Sequence, residues 1–178
     1  MKRVQRPKSK AQGRKNQSAL ARVSVLRRAQ ERAAAFDIRR RVFQDEQGVS
    51  AEEEFDADDD RATHLLAHVG GTPVGTSRIV YYPDFAKIGR MAVLRESRRH
   101  GVGRALLEAA IRIAAARGVT QLVLHAQVQA IPFYSALGFR VVGDEFQEAG
   151  IPHRRMERAI SSQLQAESRK PTRLKREI

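Results

Sequence analysis

The stretch Arg98-Arg99-His100-Gly101-Val102-Gly103-Arg104, "RRHGVGR", runs straight into "ALLEAAIRIAAARG" (105–118). Apolar residues at Val102, Ala105, Leu106, Ala109, Ile113 and Ala116 predict a helix over 101–117 with one inward stripe. Its start breaks two local rules. Glycine weakens a helix interior, and clustered cations at a helix N-terminus oppose the macrodipole. Both make sense if an anion sits there. Unpaired backbone N–H groups attract one, Gly101 and Gly103 let the backbone approach it, and Arg98, Arg99 and Arg104 add forked hydrogen bonds. A solvated basic turn is the plainer alternative, since Gly-x-Gly alone is common. No Walker lysine follows and the third dinucleotide glycine is missing, which disfavours nucleotide hydrolases and dinucleotide enzymes.

Working outward, "AKIGRMAVL" (86–94) reads as a strand leading into this helix, and "TQLVLHA" (120–126) as the strand that follows it. Upstream, "THLLAHV" (63–69) and "VGTSRIVYY" (74–82) flank a Gly-Gly-Thr-Pro turn and read as a hairpin. A β-leaning run covers 23–28, and residues 29–46 are helical, with Gly48 as the stop. Downstream lie a short helix over 131–137 beginning near Pro132, a strand "FRVVG" (139–143), and a last strand over 153–160. Strands grouped around two helices predict an α/β fold, a mixed sheet with helices on its faces.

The 178-residue chain carries a formal net charge of +13, which suggests nucleic acid until it is divided. Residues 1–22 contribute +8 and residues 162–178 contribute +3, leaving +2 on the body. The division 1–22, 23–161 and 162–178 is therefore tail, domain, tail, with both basic tails flexible and available for nonspecific nucleic-acid contact. There is no cysteine, which excludes disulfides and a cysteine nucleophile. No apolar run is long enough to cross a bilayer, and the N-terminus has no secretory h-region, so no membrane role and a cytoplasmic location are expected. Oligomeric state is not legible, and a homodimer stays open.

"IGRMAVLRESRRHGVGRALLEAA" (88–110), followed by "LHAQVQAIPFYSALGFRVVG" (124–143), resembles the GNAT acetyltransferase superfamily. With "RRRVFQDEQGV", "EFDADDDRATHLL" and "EAGIPHRRM" it is similar to the ElaA-like branch, over roughly residues 36–160. That resemblance implies a mostly antiparallel sheet of six to seven strands whose fourth and fifth strands splay apart around acetyl-CoA. It implies pantetheine contacts at Met91, Ala92 and Val93, and a pyrophosphate on the backbone of Arg98, Arg99, His100, Gly101, Val102, Gly103 and Arg104. Gln127 stands where many relatives carry a cofactor-contacting asparagine. Tyr134 matches the tyrosine that protonates the departing thiolate, and no metal is needed.

The implied reaction is attack by a neutral primary amine on the thioester in a ternary complex, which also needs a base. Glu46, His125, Glu145 and His153 are candidates. Glu46 and His153 rank first, because their segments would flank an acceptor pocket, although each could equally cap or pair. Glu52–Asp60 holds seven carboxylates in nine positions. Asp56, Asp58 and Asp60 mimic a calcium loop, but Arg61 and Ala67 replace its required glycine and closing glutamate, so no metal is expected. A solvated loop, or attraction of a cationic acceptor, are its two readings. Two other functions stay open: an acyl-homoserine-lactone-type acyltransferase, and a non-catalytic CoA-sensing or nucleic-acid-binding module. The acceptor, whether a small-molecule or a peptide amine, is not legible.

Overall fold

In the computed structural model, residues 21–27 and 29–169 are described. The strands are β1 (Arg22–Val25), β2 (Thr63–Val69), β3 (Thr72–Tyr81), β4 (Ala86–Val93), β5 (Gln121–Gln127), β6 (Arg140–Glu148) and β7 (Ile151–Ala159). They form one sheet in the order β1-β2-β3-β4-β5-β7-β6. Every neighbouring pair is antiparallel except β4 and β5. The helices are α1 (Ala29–Arg39), α2 (Ala51–Glu54), α3 (Asp58–Arg61), α4 (Val102–Ala116), α5 (Ile131–Ser135) and α6 (Ser162–Arg169). This is the expected mixed, mostly antiparallel sheet with seven strands.

Two cores sit on the two faces of the sheet. One joins Leu106, Leu107, Ala110, Ala114 and other α4 residues to Leu65, Ile79, Ile88, Leu122, Leu124 and Met156. The other joins Ala35, Ile38 and Val42 to Leu66, Ala92 and Leu94. Along β4 the inward alternation changes phase. Ala86 and Ile88 face the α4 core, whereas Ala92 faces the α1 core and Met91 and Val93 pack toward α4. The cause is a β-bulge: Arg78 pairs with Gly89 but Thr76 pairs with Ala92, and Arg90 takes φ +49°. Beyond the bulge no described strand pairs with β4 on its β5 side. The β4–β5 ladder holds only Ala86↔Leu122 and Lys87↔Val123, so the two strands part as expected.

Four expectations need correcting. The helix expected over 29–46 is α-helical only to Arg39 and continues as a π-helix over Arg40–Glu46, a widening common at functional sites. The inner stripe of α4 is rotated and broader: Leu107, Ala110, Ile111, Ala114 and Ala115 are buried, while Ala105, Ile113 and Ala116 are only half-buried. A second cover explains this. α6 packs Leu164 against the same core, and Gln165 Nε2 donates to Val119 O at 2.9 Å. Residues 162–169 are thus a docked helix where the charge pattern implies a tail; the rest of both expected tails, 1–20 and 170–178, lies outside the described residues. Finally, the acidic stretch is not a solvated loop. It forms α2, capped by Ser50, and α3, and it turns Glu54 and Asp59 into the interior.

Candidate active site

Where β4 and β5 part, a cavity of about 270 Å³ opens, lined by Lys87, Met91, His125, Gln127, Tyr134, Glu148 and His153 among others. Tyr134 stands on α5, whose first turn holds Pro132. Its ring lies edge-on to Phe133 (5.0 Å) and Phe139 (6.3 Å). Burial pushes its phenol up to about 12, so at neutral pH the hydroxyl keeps its proton.

His153 arrives from β7, opposite Gln127 in register. Its Nδ1 lies 2.8 Å from Ile151 O, and its ring stacks on Phe146. A carbonyl can only accept, so Nδ1 carries the proton and Nε2 is the basic nitrogen. His125 Nδ1 instead meets Glu148 Oε2 at 2.7 Å. That hydrogen bond holds the Glu148 carboxyl down to about 2. Glu148 is not among the candidates that the sequence offers. It is placed by the two-residue turn Ala149-Gly150, both at positive φ, which folds β6 back onto β7.

The remaining candidates are dispersed. Glu46 does not line the cavity; its Oε2 accepts from Arg98 Nη2 at 2.8 Å and so braces the glycine turn. Glu145 is exposed on β6, outside the cavity. Gln127 Nε2 donates to Gln47 Oε1 at 2.9 Å, linking β5 to the segment after the π-helix. Met91 lines the cavity, whereas Ala92 turns into the α1 core. Val93 O accepts from Arg98 Nε at 2.9 Å, which ties the strand end to the turn that follows.

That turn ends at Gly101, the residue before α4, at φ +81° and with no side-chain cap. The first helical bond runs from Ala105 N to Gly101 O, so the N–H groups of Val102, Gly103 and Arg104 have no acceptor within the helix. Arg99 and His100 are exposed beside them, and Arg104 pairs along the helix with Glu108 at 3.2 Å. A Cβ on Gly103 would stand 3.5 Å from Phe133 Cζ, ordinary contact distance. Gly103 therefore lies where α4 faces α5 across the opening.

Beside the cavity, and lining it through Asp56, Arg78 and Arg90, lies an ion-pair cluster whose other members are buried. Arg39, 1% exposed, donates through Nε to Glu54 Oε1 and through Nη1 to Asp59 Oδ1 at 2.6 Å. Its guanidinium packs against the edge-to-face pair Phe36 and Phe55, about 5 Å from each ring. Arg78 clasps Asp56 at 2.6 and 2.7 Å and reaches Asp59 at 2.7 Å. Arg90 donates to the carbonyls of Glu53 and Glu54, at 2.8 and 2.9 Å, and lies 3.1 Å from Asp56. Burial would raise Asp59, but Arg39 and Arg78 hold it down to about 2. Burial wins at Glu54, which is raised. Glu54, Asp56 and Asp59 are thus each paired with arginines of the protein itself.

A family model described as an acetyltransferase (GNAT) domain matches residues 15–160. The chain is 41% identical over 123 residues to a Bacillus subtilis protein named uncharacterized N-acetyltransferase YjcF, covering 68% of this chain and 88% of that one. It superposes on the crystal structure of Escherichia coli ElaA with a TM-score of 0.69 and 26% identity, over 78% of this chain and 99% of that one. A GNAT family acetyltransferase from Elizabethkingia anophelis, solved with acetyl-CoA bound, shares the fold at 15% identity, with a TM-score of 0.63 over 79% of this chain and 98% of that one. The splayed strands, the glycine turn before α4 and the matched family model lead to one conclusion: the chain belongs to the GNAT family of acetyltransferases.

Proposed function

We propose that the protein transfers the acetyl group of acetyl-CoA to a primary amine by direct attack in a ternary complex. The observation that carries this reading is the meeting of Tyr134, a protonated phenol, and His153, a histidine with a bare Nε2, in one cavity at the parting of β4 and β5. The acetyl-CoA-bound fold relative supports the choice of donor.

The chain's residues suit that donor. The unpaired N–H groups of Val102, Gly103 and Arg104 offer hydrogen bonds to a pyrophosphate, with Arg98, Arg99 and His100 near it. The free side of β4 from Gly89 to Val93 offers backbone groups to the pantetheine chain, whose amides match them. Acetyl-CoA supplies an activated thioester. His153 Nε2 takes a proton from the acceptor ammonium, directly or through water. As the C–S bond breaks, the Tyr134 hydroxyl gives its proton to the departing sulfur, and the second proton shed by the nitrogen as the amide forms restores the phenol through water. His125 and Glu148 position the cavity wall beside them.

The test is thiol release from acetyl-CoA across a panel of amines. Amine-dependent release carries the reading. Release equal with and without every amine, or release from longer acyl donors alone, refutes it, the latter favouring the acyl-homoserine-lactone-type alternative.

A further inference from the structure

Seven charged or imidazole side chains other than Lys87 line the cavity, and each has a partner within the protein. Asp56 is held by Arg78 and Arg90, Asp58 by Arg61, and Glu148 by His125 and Arg90. His153 is bonded to a carbonyl. Lys87 differs. Among the described residues its ammonium has neither an ion pair nor a hydrogen bond, and the atom is not sealed in the interior but opens on the cavity. It stands on the last rung where β4 and β5 still pair, at the closed end of the opening.

We infer that Lys87 is a specificity-determining residue that receives an anionic group, a carboxylate, on the acceptor amine. This rests on the acetyl-transfer reading above. The carboxylates of Glu148 and Asp58 act on this half-buried cation only through space, and each is bonded to another partner; a carboxylate brought by the acceptor would give it a direct one. Burial already lowers the Lys87 ammonium below its usual range, the state that a bound anion reverses. Geometry bounds the acceptor. Lys87 pairs with Val123 and His153 with Gln127, rungs four residues apart on β5, or about 13 Å of backbone. The long Lys87 stem shortens that span, so the amine and the carboxylate belong on one small molecule or on one peptide end.

Calorimetry tests this on the full chain saturated with CoA. The probes are acetylated products: N-acetyl α-amino acids of small and large side chain, and N-acetyl ω-amino acids of two to six carbons, each against its carboxamide. At least one carboxylate should bind tenfold or more tighter than its carboxamide. Lys87→Met, which keeps the apolar stem, should cut that preference to under twofold, and Lys87→Arg should keep part of it. Melting temperature and CoA affinity report that the variants are folded. The inference is overturned if no carboxylate in the series outbinds its carboxamide by more than twofold, absence of binding included, or if Lys87→Met keeps the preference. Failure of the underlying reading looks different: carboxylate preference persists in binding, while no amine in the same series releases CoA thiol.

Discussion

Arg90 Nη1 stands 3.7 Å from Glu148 Oε1, and through that contact the buried ion-pair cluster reaches the wall of the cavity. On its other side Arg90 Nε lies 3.3 Å from Glu54 Oε2, whose second oxygen accepts from Arg39. One chain of alternating charge therefore runs from α1, across the bulge in β4, to the His125–Glu148 pair. The acids next to the cavity do structural work, and they hold α2 and α3 against the sheet.

Breaking that chain at Asp59 should be expensive. Asp59→Asn leaves Arg39 and Arg78 short of an anion in the interior, and such losses cost about 3–5 kcal/mol. Chemical denaturation should show it. The pH dependence follows from the sign of the shift. Asp59 is depressed from 3.8 to about 2, so its contribution is complete above pH 4 and fades as pH falls toward 2. Glu54 is raised and has the opposite sign, so its protonation offsets part of the loss. A variant as stable as the parent at pH 7 would count against the cluster.

Truncation after Ser161 should destabilise the domain. It removes Leu164 from the α4 core and leaves the carbonyls of Gly118 and Val119 without Gln165. A loss of about 2 kcal/mol lowers the melting temperature of a domain this size by about 4–8 °C. Differential scanning fluorimetry against the parent checks this.

Much of this architecture was legible because its signals are local. The β2–β3 hairpin announces itself by Gly-Gly-Thr-Pro, α4 by its apolar period, and Tyr134 by the segment around it. The misreadings share a cause: each depends on a partner distant in the chain. Glu54 and Asp59 look like solvated acids until Arg39, Arg78 and Arg90 fold over them from 15 to 36 positions away. The bulge at Arg90 has no mark beyond the neighbouring Gly89. Glu148 carries no motif and gains meaning only when the Ala149-Gly150 turn and β5 bring it to His125. Within α6 only Leu164 is a large apolar residue, too little to outweigh the basic charge around it.

The glycine turn can be tested at two points. Gly101→Ala places a Cβ at φ +81°, a strain of about 1 kcal/mol that should disturb the free N–H groups and raise the CoA dissociation constant several-fold. Arg98→Ala removes the ties to Val93 O and Glu46 as well as a cation, and should weaken CoA by about tenfold. Calorimetry reads both, and unchanged affinity would dissociate this turn from the cofactor.

His153→Asn keeps a polar side chain and removes the basic nitrogen. Single-turnover transfer at pH 7 should fall by about 10²-fold and recover as pH rises, because more of the acceptor amine is already neutral. A pH–rate profile parallel to that of the parent would assign the base elsewhere, first to His125 with Glu148.

The central claim is that Tyr134 protonates the departing sulfur. It is tested most directly by single-turnover acetyl transfer in the parent and in Tyr134→Phe, which keeps the ring between Phe133 and Phe139. The account predicts a fall of about 10²–10⁴-fold in rate with the acetyl-CoA dissociation constant unchanged. It also predicts that the parent shows no alkaline loss of rate near pH 10, because burial holds the phenol proton to about 12. Equal single-turnover rates in the two proteins would contradict the account and leave Tyr134 as a packing residue.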